Sequence, residues 1–329
     1  MNRRILFPLL AVVVLAAVGV GAFFLLRGDG RTKLQLNWKP EPQFGGFYAA
    51  ALDGGPFKSR GLDVNVVPGG SGVPTVQMLG GGSVQFAVVS ADELVIARSQ
   101  GNDIVALLAV YQDNPQGLMA HQARGFKDIG DVFKSEGTVA MQEGLPYAKY
   151  LKRKYGFDKV KVTPSLNGDL GLFRANPELT AQCFVTSEPL AAKKAGVAVT
   201  TFPVKDSGFN PYTTVLACRG DLIRTNPKLA LDVARACKEG WEAYLKDPSA
   251  ANKAMAALRP EIADTFGEMA EAQKPLIVPD GAKVGVGEMT AERWADLVKQ
   301  MAEIGVIEKQ PAAAECFVSL KDLEAKAGK

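Results

Sequence analysis

The feature that most restricts the fold is a regular alternation of short apolar runs with helical patterns between residues 32 and 219. Runs such as "LDVNVVP", "VQFAVVS", "DIVALLAVY" and "AQCFVTS" have strand character, and amphipathic stretches such as "ADELVIARSQG" and "PYAKYLKRKYG" separate them. Strands that alternate with helices favour an α/β fold with parallel-rich sheets covered by helices on both faces. From residue 221 onward the patterns are helical, which predicts a helical segment after the sheets.

The N-terminus carries a second strong pattern. Arg3 and Arg4 precede an uncharged run over residues 5–26, and Arg27 follows it. This run is long enough to span a bilayer, for which roughly 20 residues suffice, whereas a cleaved signal peptide has ~7–15 apolar residues. We therefore expect residues 1–32 to form an N-terminal transmembrane anchor, with a cleaved signal peptide as the alternative. The two arginines favour a cytoplasmic N-terminus and a periplasmic or other extracytoplasmic location for the remaining chain.

Charge and cysteine spacing argue against two classes of function. The first 32 residues hold four of the 38 basic and one of the 35 acidic residues, so the remaining chain has 34 of each. A neutral chain lacks the basic surface that binds nucleic acid. The four cysteines form no C-x-x-C pair, which makes a zinc site improbable and leaves their pairing open. Cys237 shares a helix face with Leu229, Val233 and Trp241 and is expected to pack as a small hydrophobe.

Polar and aromatic residues follow the predicted strands. In open parallel sheets, ligands bind outside the carboxyl ends of the strands. The residues at these ends are Trp38, Ser90 with Asp92 and Glu93, Gln112, Gly144 with Tyr147, and Glu188. Trp38 alternates with Leu34 and Leu36 but lies at the tip of its strand, where a ligand would supply the packing that its neighbours do not. The alternative is a tryptophan that closes a crevice without touching a ligand.

Several segments taken together resemble a known family. These are "LNWKPEPQFGGFYAA", "KSRGLDVNVVPGG", "GSVQFAVVSADELVIARSQG", "VALLAVYQDNPQGLMA" and "VTSEP". In order and spacing they resemble the NMT1/THI5-like (SsuA/THI5-like) solute-binding proteins of ABC importers. The resemblance implies a type II periplasmic-binding-protein fold, in which two α/β lobes close over a small ligand and an ABC permease is the membrane partner. It also implies a monomer without a cofactor.

The resemblance further implies that the chain crosses twice between the lobes. We expect the crossings near residues 115–117 and 207–211, where glycine, proline and asparagine are frequent. Lobe 1 then comprises residues 33–115 plus 212–329, and lobe 2 comprises residues 116–211.

Within this family, the residues favour a flat nitrogen heterocycle, such as a thiamine pyrimidine precursor or riboflavin, as ligand. Trp38, Tyr48 or Tyr147 would stack on the ring, and Glu188 would accept hydrogen bonds from its N–H groups. The alternative is a sulfonate or nitrate, since the free backbone N–H groups of the "QEGLPY" turn at Gly144 precede a helix and suit an anion. Plain capping of that helix explains the turn equally well.

The family also includes a thiamine pyrimidine synthase, which the residues of this chain disfavour. The resemblance implies that such enzymes use histidine, pyridoxal phosphate on a lysine, iron and a cysteine-rich cluster. Here His121 is the only histidine in the sequence, and no cysteine-rich run exists. We therefore expect no enzymatic activity, no catalytic residue and no metal, and a surface or hinge position for His121.

Overall fold

The structure, a computed structural model, describes residues 30–281 and 284–328. The anchor expected at residues 5–26 lies outside this part of the chain. Within the described ranges, no helix is both long enough and apolar enough to span a bilayer.

The described residues form ten strands in two five-stranded sheets. The strands are β1 (Thr32–Gln35), β2 (Val64–Val67), β3 (Phe86–Val89), β4 (Ile104–Tyr111), β5 (Gln116–His121), β6 (Gly137–Ala140), β7 (Val160–Thr163), β8 (Leu179–Phe184), β9 (Val199–Pro203) and β10 (Thr213–Arg219). Their orders are β2-β1-β3-β10-β4 and β7-β6-β8-β5-β9. Each sheet is the centre of one lobe, so the predicted two-lobed α/β fold is confirmed. The sequence patterns do not predict β5, but every predicted strand is present.

Both sheets are mixed, which corrects the prediction of parallel-rich sheets. β1 pairs in parallel with β2 and β3, and β6 pairs in parallel with β7 and β8. β10 runs antiparallel to β3 and β4, and β5 runs antiparallel to β8 and β9. The reason is the path of the chain. β3 and β6 end at the side where the two lobes face each other, whereas β5 and β10 enter their sheets from that side, directly after a crossing.

Helices cover the sheets and fill the C-terminal part. They are α1 (Gly45–Ala51), α2 (Pro56–Ser59), α3 (Thr75–Gly80), α4 (Ala91–Ser99), α5 (Ile129–Lys134), α6 (Pro146–Tyr155), α7 (Gly171–Ala175), α8 (Glu188–Lys194), α9 (Gly220–Thr225), α10 (Pro227–Lys246), α11 (Ser249–Ala256), α12 (Phe266–Ile277), α13 (Ala291–Glu303), α14 (Ala313–Cys316) and α15 (Leu320–Ala327). Short 3-10 turns lie at Pro42–Phe44, Gln122–Arg124, Val204–Ser207 and Ala263–Thr265.

Alternating strand residues place apolar side chains on both faces of the first sheet. On one face, Leu216 of β10 belongs to a cluster that contains Trp241 of α10. On the other face, Val215 belongs to a cluster that contains Trp294 of α13 and continues into lobe 2. Cys237 is fully buried in the first cluster, so its predicted packing role is confirmed. All four cysteines are buried and free.

Glycines allow α1 to approach α10 closely. A Cβ atom on Gly46 would lie 2.2 Å from the Trp241 ring, and one on Gly240 would lie 2.2 Å from the carbonyl oxygen of Gly46. This close contact fixes α1, and through it the turn that carries Trp38, against the longest helix of lobe 1.

Segments 112–115 and 204–212 connect the two sheets, and Arg293 of α13 holds both. Its Nη2 donates to the carbonyl oxygens of Gln112 at 2.7 Å and Asn210 at 2.9 Å. Its guanidinium also lies 3.9 Å from the ring centre of Tyr212. The lobe boundaries expected at 115/116 and 211/212 fall within these segments, and the division itself stays a prediction.

Candidate functional site

A cavity of about 440 Å³ lies between the two lobes. Lobe 1 contributes the turn after β1, the loop that follows β2, the start of α4 and the start of β10. Lobe 2 contributes the turn before α6, the loop after β7, the end of β8 and the start of α8. A volume of a few hundred cubic ångström is typical of pockets that enclose one small organic ligand.

Four of the predicted site residues line this cavity, and three do not. Trp38 and Ser90 line it from lobe 1, and Tyr147 and Glu188 line it from lobe 2. The structure therefore brings together side chains that are up to 150 positions apart in sequence. Whether they touch a ligand stays a prediction.

Tyr48, Gln112 and Gly144 are not among the lining residues. Tyr48 lies on α1 and packs into the lobe 1 core, where burial raises the pKa of its hydroxyl to about 12. The Gln112 amide donates to the carbonyl oxygen of Glu288 at 2.9 Å and accepts from Arg293. Its side chain is therefore held within the hinge, the two segments 112–115 and 204–212 that connect the lobes. Gly144 is exposed beside the cavity.

The lining is acidic. Glu41, Asp92, Glu93 and Glu188 contribute carboxyl groups, and no lysine, arginine or histidine is among the described residues that line the cavity. Such a cavity favours groups that donate hydrogen bonds or carry positive charge, and it repels anions.

Glu41 and Glu188 approach each other from opposite lobes. Burial, and then the charge of Glu41, raise the pKa of Glu188 to about 7. One Glu188 oxygen accepts from the backbone N–H of Phe184 at 2.8 Å. Glu41 is 7% exposed and pairs with Arg259, whose Nη1 lies 2.9 Å from Oε1. Its Oε2 lies 3.5 Å from the Ser187 hydroxyl, across the gap between the lobes.

The pKa of Glu41 is also raised, because burial outweighs the opposing effect of Arg259. The two carboxyl groups therefore differ in their partners. Glu41 keeps a guanidinium beside it, whereas Glu188 accepts from a backbone N–H and forms no ion pair with the described residues, so Glu188 gains more from a ligand that donates.

Ser90 and Glu93 cap the start of α4. The Glu93 carboxylate accepts from the Ser90 N–H at 3.0 Å and from the Ser90 hydroxyl at 2.9 Å. Asp92 is 8% exposed, and one of its oxygens accepts from the Glu93 N–H at 3.0 Å. Burial, and then the neighbouring Glu93 charge, raise the pKa of Asp92 to about 6.

On the lobe 2 side, Gln182 holds Tyr147 and the "QEGLPY" turn together. Gln182 Oε1 accepts from the Tyr147 hydroxyl at 2.6 Å and from the Gln142 N–H at 2.9 Å. Gln182 therefore already accepts from the Gln142 N–H, one of the backbone N–H groups of this turn that could otherwise bind an anion. The Tyr147 side chain is fixed with its ring at the cavity wall.

Trp38 is partly buried at the opposite wall. Its carbonyl oxygen accepts from the Gly69 N–H at 3.0 Å. A Cβ atom on Gly69 would lie 2.2 Å from the carbonyl oxygen of Leu36, so only glycine allows the loop after β2 to approach so closely. Trp241 and Trp294, the other two tryptophans of the sequence, are fully buried in the core.

His121 lies at the end of β5 and does not line the cavity. Its ring stacks on Phe173 at a centroid distance of 4.5 Å, and its Nε2 lies 2.8 Å from the Phe173 carbonyl oxygen. In residues 30–281 and 284–328, no group of three or more histidine, cysteine or acidic side chains is placed to hold a metal ion.

Glu41, Gln182, Thr213 and Thr214 also line the cavity but are absent from the predicted set. Glu41 lies three residues after Trp38 within the family-like segment "LNWKPEPQFGGFYAA", so its proximity to Trp38 was an available signal. Gln182 lies inside β8, and the threonines lie at the start of a strand, where the rule of carboxyl ends does not apply.

The two lobes with a cavity between them form a periplasmic-binding-protein fold. Residues 41–251 match the family described as NMT1/THI5 like. The chain belongs to this family, which confirms the resemblance seen in the sequence.

Individual relatives are distant. The formylaminopyrimidine-binding protein of Halalkalibacterium halodurans is 20% identical over 97% of this chain and 99% of its own. The periplasmic aliphatic sulphonate binding protein SsuA from Escherichia coli is 14% identical, with a TM-score of 0.68 over 88% of this chain and 92% of that one. The desulfurization enzyme DSZB is 13% identical, with a TM-score of 0.60 over 91% and 99% of the chains. Proteins with this fold therefore include both binding proteins and an enzyme, so the function has to be argued from the residues of the site.

Proposed function

We propose that this protein is the extracytoplasmic solute-binding component of an ABC importer and that it binds a small nitrogen heterocycle between its lobes. The observation that carries the proposal is the lining of the cavity. Four carboxyl groups and four aromatic residues, Trp38 and Tyr147 with Phe184 and Phe209, line a space without a lysine, arginine or histidine among its described lining residues. The formylaminopyrimidine ligand named for the relative from H. halodurans belongs to the proposed class.

The charge of the cavity separates this ligand class from sulfonates and nitrate. A small anion placed near Glu188 would meet a carboxylate at the pH where that group ionises, and no arginine or lysine of the lining would offset the repulsion. Amino and ring N–H groups would instead satisfy the carboxyl oxygens, which are costly to leave without donors when buried. A planar ring also uses the broad faces of Trp38 and Tyr147.

Closure of the lobes follows from the position of the acidic groups. Glu41 belongs to lobe 1 and Glu188 to lobe 2, and each raises the cost of ionising the other when the lobes approach. A ligand that donates hydrogen bonds between them removes this repulsion. Such a ligand binds the closed form better than the open form and shifts the population toward closure.

The remaining parts of the proposal come from the family and from the site. The receptor delivers its ligand to a membrane permease and acts as a monomer. We propose that it performs no chemistry of its own, because Glu41, the carboxyl group whose charge acts on Glu188, is held in an ion pair by Arg259. It works outside the cytoplasm, held there by residues 5–26 or released after their cleavage.

Isothermal titration calorimetry tests the ligand class. The titrants are an aminopyrimidine, thiamine, riboflavin, taurine and nitrate. We expect tight binding of a heterocycle, weakened about tenfold or more by Trp38→Ala, because ring stacking contributes roughly 1–3 kcal/mol. Glu188→Gln is expected to weaken it further, and Glu308→Gln, at an exposed glutamate far from the lining residues, is the matched control. Tight binding of taurine or nitrate that survives both site variants would reject the proposal.

A further inference from the structure

We infer that Thr213, Thr214 and Asp92 form a second polar subsite of the cavity, which binds a hydroxyl or amino group on an arm of the ligand. Thr214 is its specificity-determining residue. This inference rests on the proposed function, because it assigns a role to a different part of the same cavity. All three residues belong to lobe 1 and line the cavity.

Thr214 has an uncommon backbone conformation. Its φ is +53°, in the left-handed region, although it is β-branched and lies in β10. Such residues are rare in this region because the branched side chain crowds the following carbonyl oxygen. Strained residues of this kind concentrate at functional sites, where the surrounding structure enforces them.

The left-handed turn changes which way the side chains point. In a regular strand, adjacent residues face opposite sides of the sheet. Thr213 and Thr214 are adjacent, yet both line the cavity. The irregular conformation therefore brings a second residue of this strand to a wall to which a regular strand would contribute only one of the two.

The Thr214 hydroxyl forms no hydrogen bond with the described residues. Thr214 is 3% exposed, and no hydrogen bond joins its side chain to the part of the chain that the structure describes. Thr213 is 8% exposed and is likewise without a side-chain hydrogen bond within the described ranges. Both hydroxyl oxygens keep some exposed surface, and both residues line the cavity, so a ligand group in the cavity can supply the missing hydrogen-bond partner.

Neighbouring contacts hold the strained segment in place. The Ala91 N–H donates to the carbonyl oxygen of Tyr212 at 3.0 Å, and the Thr290 N–H donates to the Tyr212 hydroxyl at 3.1 Å. Arg293 covers the Tyr212 ring. The residue directly before the two threonines is therefore fixed, so a ligand meets a preformed site rather than a mobile loop.

The strand register places the start of α4 near the two threonines. Val215 pairs with Val89 in the antiparallel ladder between β10 and β3. The residues after Val89 begin α4 and include Asp92, which also lines the cavity. A hydroxyl group can donate to the Asp92 carboxylate and accept from a threonine, and an amino group can donate to both. A ligand with such an arm matches this subsite, whereas a bare apolar arm would leave the two threonine hydroxyls without a partner.

A double-mutant cycle between protein and ligand tests the inference. The protein variants are Thr214→Val, which removes the hydroxyl and keeps the shape, and Thr214→Ser, which keeps the hydroxyl. The probes are two aminopyrimidines with the same ring, one with a hydroxymethyl arm and one with a methyl arm. Thr214→Gly, which accepts a positive φ, provides a third variant without the hydroxyl if the valine variant folds poorly.

We expect Thr214→Val to weaken binding of the hydroxymethyl probe about tenfold, as for loss of one good hydrogen bond, and to change binding of the methyl probe less than about twofold. Thr214→Ser is expected to keep the hydroxymethyl affinity, and Thr214→Gly to reproduce the selectivity loss of the valine variant. Equal effects of Thr214→Val and Thr214→Gly on the two probes, or no effect on either, would overturn the subsite. Failure of both probes to bind the unmodified protein would instead reject the proposed ligand class, and the subsite with it.

Discussion

Replacing Glu188 by glutamine is predicted to stabilise the empty protein at alkaline pH and to leave its stability at acidic pH unchanged. The reason is the environment of the carboxyl group. Burial, and then the charge of Glu41, raise the pKa of Glu188 from 4.5 to about 7. Glutamine has the same shape, and its carbonyl oxygen can still accept from the Phe184 N–H. It cannot ionise, so the variant removes the charge alone.

The sign and size follow from proton linkage. Between about pH 4.5 and pH 7, folded Glu188 holds a proton that the unfolded chain has released. The free energy of unfolding therefore falls as the pH rises through this range, and it stays constant above about pH 7. One pKa unit corresponds to about 1.36 kcal/mol. The shift would give about 3 kcal/mol, which we reduce to about 2 kcal/mol because Glu188 is partly exposed and lines the cavity.

Thermal unfolding of the ligand-free protein at pH 5 and pH 8 is the assay. A change of about 2 kcal/mol corresponds to roughly 4 °C in the unfolding midpoint for a chain of this size. We expect Glu188→Gln to raise the midpoint by this amount at pH 8 and by much less at pH 5. The exposed Glu308→Gln provides the control and should change neither value. A Glu188→Gln midpoint that is equal to or below the unmodified protein at pH 8 would refute the reasoning.

Three further predictions concern the cavity wall at Trp38, the core of lobe 1 and the segments that connect the two lobes. Trp241 and Trp294 are fully buried, so a ligand that binds in the cavity should change the fluorescence emission of Trp38. The Trp38→Phe variant should still bind the ligand but lose this fluorescence change. A full fluorescence change in that variant would contradict the stacking role of Trp38. Gly240→Ala should lower the free energy of unfolding by about 1–3 kcal/mol in urea titrations, because the added methyl group would lie 2.2 Å from a backbone oxygen, and an unchanged value would refute that contact. Arg293→Ala leaves the carbonyl oxygens of Gln112 and Asn210 in the connecting segments without this donor, so it should lower the free energy of unfolding by about 1–3 kcal/mol in urea titrations. Small-angle scattering of the variant should show a wider distribution of lobe separations. A distribution identical to that of the unmodified protein would refute the role of Arg293 in holding the connecting segments.

The sequence indicated the lobes well because most strands are short, apolar and flanked by helices. β5 escaped prediction since "QGLMAH" begins with Gln116 and Gly117 and has no β-branched residue. Its strand conformation depends on pairing with β8 and β9, which are more than 50 positions away in the chain. The antiparallel orientation of β5 and β10 likewise depends on where the chain passes from one lobe to the other, which local sequence patterns do not reveal.

The site was predictable where the rule of carboxyl strand ends applies, as for Trp38 and Glu188. The rule fails for Gln112, because Arg293 and Glu288 turn its side chain into the hinge. Thr214 was beyond prediction from sequence, since nothing in "YTTVLAC" marks one threonine as left-handed.

The partner of Glu41 was equally hidden. Arg259 lies 218 positions later in the chain, so their pairing depends entirely on the fold.

The most direct test of the central claim is a competition experiment by native mass spectrometry. The purified protein is mixed with equal concentrations of an aminopyrimidine, riboflavin, taurine and nitrate, and the mass of the bound species is read from the intact complex. An acidic cavity lined by aromatic residues predicts one bound heterocycle per chain, with a strongly reduced bound fraction in the Trp38→Ala and Glu188→Gln variants. A complex that contains taurine or nitrate, or a heterocycle that stays bound in both variants, would contradict it.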